Sequence, residues 1–166
     1  THLFPVLYDR YAGVVYNKCY GFSKNKEEAQ DLTHDVFIRL FVKLRTFKGK
    51  SKFSTWLYSF TYNFCVNYVQ RNKEKKKEKV TVVTDEIKED SNEDEIHDAA
   101  LFELKADKLA KALEKIAVSE KMILLMKYQD DMSIKEISAA LELGDSAVKM
   151  RLKRAKEKVI KAYNAL

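Results

Sequence analysis

Residues 133–160 read SIKEISAALELGDSAVKMRLKRAKEKVI, and they carry the most informative pattern in the sequence. Ser133 and Glu136 have the S-x-x-E spacing of a capping box, in which the serine accepts a hydrogen bond from the third amide of a helix and the glutamate reaches back. Residues 141–145 then predict a turn, and residues from about 145–161 predict a second helix. A short capped helix, a tight turn and a longer helix together predict a helix-turn-helix.

The second of these predicted helices separates its apolar and basic residues. At 100° per residue, four apolar residues fall within about 60° of each other; they are Val148, Leu152, Ala155 and Val159. Cations lie opposite this seam or flank it, as a helix that enters the major groove requires, because their heads can reach guanine acceptors or phosphates. A solvated basic face on an ordinary amphipathic helix is the alternative. The capped helix and turn that precede it favour DNA binding.

The rest of the chain is also predicted to be helical. Only four glycines and one proline interrupt 166 residues, which favours long helices joined by short turns. Apolar residues at helical spacing predict helices over about 3–20, 26–44 and 54–72. In the third of these, Ser54 is the expected N-cap, and the expected buried stripe consists of Trp56, Leu57, Phe60, Phe64 and Tyr68. Helical patterns resume near residue 98, so the predicted fold class is all-α.

Charged residues divide the chain into two small helical modules. Residues 71–79 hold six basic and two acidic side chains, whereas residues 85–98 hold eight acidic side chains and one lysine. The stretch 73–97 has no periodic apolar face, which predicts a charged, flexible linker. The predicted modules are a bundle of three to four helices at 1–72 and a helix-turn-helix domain at 98–166.

Composition limits the class of protein. The net charge of +6 and pI of about 9.1 suit an anionic partner. No apolar run approaches the roughly 20 residues that span a membrane, and no secretory signal opens the chain. Cys19 and Cys65 lie in apolar helical patterns without C-x-x-C spacing, which predicts buried, reduced thiols. We therefore expect a cytoplasmic protein.

No sequence motif indicates catalysis. A Gly-rich phosphate loop, a paired-histidine motif and a nucleophile elbow are all missing from the sequence. The pair Asp130-Asp131 falls in a polar turn and is predicted to be solvated. His34 has no second His or Cys at i+3 or i+4, which argues against a metal site. We expect no enzyme activity, no cofactor, no metal and no small-molecule substrate.

Three stretches, each moderately specific, together resemble a bacterial RNA polymerase sigma factor of the extracytoplasmic-function (ECF) group. MILLMKYQDDMSIKEISAAL and SAVKMRLKRAKEKV, within 122–159, resemble region 4, which binds the −35 promoter element. DLTHDVFIRLF at 31–41 resembles region 2.2, the contact surface for core RNA polymerase. FKGKSKFSTWLYSFTYNFCVNYVQRNK at 47–73 resembles regions 2.3 and 2.4, which open and read the −10 element. The resemblance implies a transcription initiation factor that directs core RNA polymerase to promoters.

Two stretches depart from the family pattern. The family has Leu-Pro before the helix that contains Glu120, whereas this chain has Ala-Val-Ser at 117–119. The family turn reads Leu-Gly-x-Ser, whereas residues 141–144 read Leu-Glu-Leu-Gly, so that Gly144 replaces the capping serine. Glycine is a tolerable N-cap, so these departures concern the geometry of the turn.

The resemblance also implies residue roles. The positions that would contact core polymerase are Asp31, His34, Asp35, Phe37 and Phe41. The positions that would bind −10 DNA are Lys50, Ser51, Lys52, Phe53, Asn63, Asn67, Arg71 and Lys73. The positions that would bind −35 DNA are Ser146, Lys149, Arg151, Lys153 and Arg154. The two phenylalanines fall outside the expected core stripe of their helix and are expected to be exposed, unless the buried face is wider.

Aromatic residues are in surplus in the third helix. Seven lie within 53–68, more than one buried seam holds, which favours stacking on single-stranded bases or cover by a partner protein. Trp56 itself is expected in the core. The partners implied are core polymerase, duplex −35 DNA, single-stranded −10 DNA and an anti-sigma factor. The alternative function is a stand-alone helix-turn-helix regulator of duplex DNA.

Overall fold

The structure is a computed structural model that describes residues 3–76, 100–101 and 103–166. Within these ranges it contains seven α-helices and no strand, which confirms the all-α prediction. The helices are α1 (Leu3–Tyr20), α2 (Lys26–Lys43), α3 (Phe53–Lys76), α4 (Ala106–Leu113), α5 (Val118–Leu124), α6 (Ile134–Leu141) and α7 (Asp145–Asn164). A 3-10 turn at Leu44–Thr46 follows α2, and a π-helical segment at Leu125–Gln129 extends α5.

Helices α1, α2 and α3 pack together as the N-terminal half of the structure. Asn25 caps α2, because its side chain accepts a hydrogen bond from the Glu28 amide at 2.8 Å. One face of α2 is apolar and faces the core; its buried members are Ala29, Leu32, Val36 and Leu40. These residues step by three and four, so one face of α2 supplies the core.

Helix α3 buries a different face from the one predicted. The side chains that are buried are Leu57, Ser59, Thr61, Tyr62, Cys65 and Val66. Of the predicted stripe only Leu57 is among them, whereas Trp56, Phe60, Phe64 and Tyr68 are half-buried. The prediction from periodicity was wrong because apolar and aromatic side chains lie on most sides of this helix. Packing against the other helices then determines which of them are buried.

Both ends of α3 also differ from expectation. The Trp56 amide donates to the Lys52 carbonyl at 3.1 Å, so Ser54 lies inside the first turn and is not the N-cap. The helix continues to Lys76, past the predicted end at residue 72 and into the predicted linker. The rest of that linker, 77–97, lies outside the described residues.

Helices α4 to α7 form the C-terminal half. The predicted seam of α7 is confirmed, since Val148, Leu152, Ala155 and Val159 are all buried. Helices α4, α5 and α6 all pack on α7. Helix α5 begins at Val118, and its N-cap Ala117 has no side-chain acceptor. Glu120 compensates in part, because its carboxylate accepts from the Ala117 amide at 3.2 Å.

The two halves pack against each other, with α3 contacting both α5 and α6. This packing buries Asp130, so the prediction that the Asp130-Asp131 pair is solvated is wrong for Asp130. The Asp130 side chain is only 7% exposed and pairs with Lys18, which is also buried. Asp131 is exposed and adopts a positive φ of 54°. Sequence alone treats a charged turn as solvated, because a partner 112 residues away is invisible to it.

The two cysteines lie together in the core of the N-terminal half. Both are free thiols and fully buried, as predicted. The Cys65 thiol points to that of Cys19, with 3.7 Å between the sulfur atoms. This hydrogen bond, together with burial, raises the pKa of Cys65, so the Cys65 thiol stays protonated and unreactive in the folded protein.

Candidate nucleic-acid and polymerase interfaces

The capping box at the start of α6 is present in full. The Glu136 amide donates to Ser133 Oγ at 3.1 Å, and the Ser133 amide donates to Glu136 Oε1 at 3.2 Å. The hydrogen bond from the Ser133 backbone is the main cause that lowers the pKa of Glu136. The first helix of the helix-turn-helix therefore begins where the sequence predicts.

The turn between α6 and α7 does not use its glycine as a left-handed residue. Glu142 ends α6 with φ 54° and ψ 45°, in the left-handed region, whereas Gly144 is extended with φ −71°. The Leu143 amide donates to the Ser138 carbonyl at 3.1 Å, and Ser138 Oγ donates to the Leu143 carbonyl. These bonds hold the turn, so the helix-turn-helix forms although the glycine is displaced from its usual position. Glu142 takes the left-handed conformation instead and carries the backbone strain.

We expect Glu142→Gly to raise the free energy of unfolding by about 1 kcal/mol, because a left-handed conformation costs an L-residue about 1–2 kcal/mol that glycine avoids. Urea denaturation followed by circular dichroism measures the change. Glu142→Ala keeps the Cβ atom and serves as the control without a gain. A loss of stability in Glu142→Gly would show that the glutamate side chain contributes more than its backbone strain costs.

Helix α7 presents a basic groove beside its buried seam. The groove, of about 460 Å³, is lined by Lys127, Lys149, Lys153 and Lys156, together with Ser146 in the first turn; we call it the α7 groove. Lys149 and Arg151 are exposed, and Lys153 and Arg154 are half-buried. Lys158, which flanks this face, is paired with Glu120 at 2.5 Å. The structure thus brings three of the five predicted −35 residues, Ser146, Lys149 and Lys153, to one groove, whereas Arg151 and Arg154 lie outside it.

A second cleft, of about 630 Å³, opens between α3, the loop before it and α6. It is lined by Lys50, Ser51, Trp56, Phe60 and Asn63 from the N-terminal half; we call it the α3 cleft. Trp56 is half-buried and lines this cleft, rather than lying inside the core as predicted. Its ring stacks on Phe60 with centroids 5.8 Å apart and an interplanar angle of 25°. Lysines beside a stacked aromatic face can hold a single-stranded base and its phosphates.

The remaining predicted −10 residues lie outside the α3 cleft. Lys52 is exposed at the end of the loop, whereas Phe53 is half-buried against Phe47, with ring centroids 5.6 Å apart. Farther along α3, the exposed polar residues are Asn67, Arg71 and Lys73. The loop itself turns at Gly49, whose φ of 71° favours glycine. Sequence reasoning did not place Phe60 in this cleft, although its four-residue spacing from Trp56 was a usable signal.

The outer face of α2 is acidic and apolar. Asp31, His34 and Asp35 are exposed, and Phe41 is 52% exposed. Phe37 does not belong to this outer face: it is 3% exposed and packs against Phe4 and Tyr8 at centroid distances of 6.3 and 4.8 Å. The expectation that Phe37 is exposed is therefore wrong, because α1 lies along α2 and covers it.

Sequence reasoning missed two apolar members of this face. Ile38 is 64% exposed and Val42 is 71% exposed, one helical turn apart beside Phe41. Large apolar side chains grouped on a surface mark an interaction site. Their spacing on α2, on the side opposite the buried stripe, was the signal that could have found them.

Both halves of the chain match families of known proteins. Residues 7–75 match the family Sigma-70 region 2, and residues 106–159 match Sigma-70, region 4. The ECF RNA polymerase sigma factor SigW of Bacillus subtilis (strain 168) is 28% identical over 172 residues, which cover 98% of this chain and 90% of SigW. The chain belongs to the ECF sigma factors. The ECF RNA polymerase sigma factor SigX of the same organism is 24% identical over 147 residues, covering 88% of this sigma factor and 76% of SigX.

Two solved structures share the fold of this sigma factor. The sigma factor RpoE, in complex with the anti-sigma factor NepR from Bartonella quintana, superimposes with a TM-score of 0.68 at 16% identity, over 99% of this chain and 98% of RpoE. CnrH, in complex with the cytosolic domain of CnrY, superimposes with a TM-score of 0.63 at 20% identity, over 98% of this chain and 88% of CnrH. At these identities the likeness establishes the fold alone.

Membrane spans and metal clusters are both missing from the described part of this sigma factor. No described helix is both long and apolar enough to cross a membrane. Across the same residues, His, Cys, Asp and Glu side chains do not come together in any group of three or more that could hold a metal ion.

Proposed function

We propose that this sigma factor binds core RNA polymerase through α2, reads duplex −35 DNA with α7 and captures single-stranded −10 DNA in the α3 cleft. The observation that carries the proposal is the presence, in one chain, of a basic helix-turn-helix and an aromatic cleft beside a lysine-containing loop. A stand-alone regulator of duplex DNA has no use for the second feature. Its action on polymerase places the protein in the cytoplasm, and polymerisation belongs to the partner, so no catalytic role is proposed for this chain.

The α7 groove supports duplex reading. Lys149 and Lys153 line it on the side away from the buried seam, and Ser146 lies near the N-terminus of the helix, the end that contacts base edges in helix-turn-helix proteins. Arg151 and Arg154 flank this face. Long basic side chains at these positions can reach guanine acceptors or backbone phosphates. We propose these five residues as the −35 interface.

The α3 cleft supports strand capture. Promoter opening requires a base to leave the stack, which costs a few kcal/mol, and to find a new binding surface. The stacked pair of Trp56 and Phe60 offers an aromatic face, Ser51 and Asn63 offer hydrogen-bonding groups, and Lys50 offers a phosphate contact. Asn67, Arg71 and Lys73 continue along α3 as a track for the backbone.

The outer face of α2 supports polymerase binding. Exposed carboxylates of Asp31 and Asp35 flank an apolar group that includes Phe41, an arrangement suited to a partner surface with apolar and basic residues. Phe37 is buried against α1, so we do not include it in the proposed contact surface. We also propose that an anti-sigma factor binds this chain, as NepR and the cytosolic domain of CnrY bind RpoE and CnrH.

Gel filtration of the chain with bacterial core RNA polymerase, followed by run-off transcription from genomic fragments, tests the proposal. We expect co-elution and new, promoter-specific transcripts. Phe41→Asp is expected to abolish co-elution, because it places a charge in the apolar group, whereas Tyr20→Asp, at an equally exposed site on the far end of α1, is expected to co-elute normally. Tight duplex binding without co-elution would instead identify a stand-alone regulator.

A further inference from the structure

A buried ion pair joins the two halves of the sigma factor. Lys18 Nζ in α1 lies 2.7 Å from Asp130 Oδ1, and the two side chains are 6% and 7% exposed. Lys18 belongs to the part that matches region 2, and Asp130 to the part that matches region 4. The contact therefore links the two functional halves rather than stabilising either one by itself.

Tyr62 completes this cluster from α3. Its hydroxyl accepts from Lys18 Nζ at 2.8 Å and donates to Asp130 Oδ2 at 2.5 Å. Burial and the hydrogen bond to Asp130 raise the pKa of Tyr62, which keeps its hydroxyl protonated as a donor. Lys18 Nζ also lies 4.4 Å from the centroid of the Tyr58 ring. Each polar atom of the cluster thus has a partner that requires the halves to be in contact.

Two further contacts hold the halves in the same arrangement. Lys121 of α5 is buried, and its Nζ donates to the Gly21 carbonyl at the end of α1 while pairing with Glu114 at 2.8 Å. Thr55 Oγ1 of α3 donates to Glu136 Oε2 of α6 at 3.2 Å. The second contact places α6 against the α3 cleft, whose opposite wall is formed by Lys135, Ala139 and Ala140 together with Glu136 and Glu142.

This closed arrangement is incompatible with simultaneous binding of both promoter elements. The −35 and −10 elements lie about 25 base pairs apart, or about 85 Å along straight duplex at 3.4 Å per pair. Helix α6 lies within hydrogen-bonding distance of α3. Helix α7 has 20 residues and is about 30 Å long, so its far end cannot lie 85 Å from the α3 cleft.

Resting on the function proposed above, we propose that Lys18, Tyr62 and Asp130 form an intramolecular latch that holds the free sigma factor closed and must open before it engages a promoter. The chemistry suits a reversible latch. Two buried charges regain hydration when they separate, so the ion pair adds little net stability to the closed form. It nevertheless forms only when the two halves adopt one particular arrangement. The latch therefore selects one closed geometry without making it permanent.

Asp130→Asn tests the latch by leaving the Lys18 charge buried without its counter-charge in the closed form. We expect the halves to separate, with a radius of gyration in small-angle X-ray scattering several ångströms above that of the wild-type chain, for which about 15 Å corresponds to a compact arrangement. Forked promoter DNA that carries both elements should bind about three- to tenfold more tightly, because more of the protein is competent to bind.

A double variant tests the opposite direction. Lys18→Met with Asp130→Leu replaces the ion pair by apolar side chains that would be exposed on opening, so we expect a compact chain with weaker promoter binding. Glu120→Gln is the control, since it removes a carboxylate from an ion pair inside the C-terminal half, and neither quantity should change. Circular dichroism confirms that each variant is folded.

The outcomes separate the latch from the proposed function. A radius of gyration unchanged in Asp130→Asn, or a wild-type chain as extended as that variant, would overturn the latch. An opened Asp130→Asn chain that binds promoter DNA no more tightly would overturn its gating role. Scattering needs neither polymerase nor DNA, so failure of polymerase binding would count against the proposed function alone.

Discussion

Replacement of Lys149, Lys153 and Arg154 together by alanine is expected to weaken binding to −35 duplex DNA by roughly 100-fold, because removing each interaction with a base or phosphate costs about 1 kcal/mol. All three residues lie outside the buried seam of α7, and alanine favours helix formation, so the fold should persist. The salt dependence should flatten as well. Each phosphate interaction that is removed reduces the slope of log K against log salt by about 0.9.

Fluorescence anisotropy of a labelled duplex at several salt concentrations measures both quantities. The matched control removes three exposed lysines from the same half of the protein, at Lys105, Lys111 and Lys115. It changes the net charge equally but leaves the α7 groove intact, so only a small decrease in affinity through long-range attraction is expected. An unchanged salt slope in the α7 variant, or an equal decrease in the control, would remove α7 from the interface.

Trp56→Ala is expected to weaken binding to forked −10 DNA by about 10- to 100-fold, because stacking of one base on an aromatic side chain contributes about 1–3 kcal/mol. Trp56 lies in the α3 cleft with its ring stacked on Phe60. Its removal deletes the platform while leaving α7 untouched, so affinity for −35 duplex DNA should not change. Open-complex formation with core polymerase, followed by permanganate reactivity of unpaired thymines, should fall in parallel.

Two control variants distinguish the loss of base stacking from a simple loss of stability. Trp56→Phe keeps an aromatic face and should restore most of the binding to forked DNA. Tyr16→Ala removes a half-buried aromatic from α1, where it stacks on Tyr20, and should leave forked-DNA binding intact. If Trp56→Ala bound forked DNA as well as the wild-type chain, Trp56 would be a structural residue only.

Local features of the fold could be predicted because their causes are local. The capping box of Ser133 and Glu136 needs residues three positions apart, and the buried seam of α7 needs only a helical repeat with apolar residues on one side. The stripe of α2 follows the same rule. Where a helix has one clearly apolar side, periodicity alone identifies the side that faces the core.

Periodicity failed where more than one side of a helix is apolar. Helix α3 has aromatic residues on several sides, so packing against α1, α2 and the C-terminal half decided that Tyr62 is buried and that Trp56 lines a cleft. Phe37 is buried for a similar reason, since α1 covers it while leaving Phe41 exposed. The left-handed residue of the turn, Glu142, was set by the hydrogen bonds of Ser138 and Leu143 rather than by the nearby glycine.

Short-range spacing and the order of the motifs were enough to predict that this chain is helical, that it contains a helix-turn-helix and that it resembles ECF sigma factors. The way in which the two halves pack together depends instead on long-range contacts that are visible only in the folded protein. Lys18 and Asp130 lie 112 positions apart, and each on its own has the character of a solvated surface charge. Their burial depends on a partner brought from the other half, and sequence spacing holds no signal of such a long-range contact.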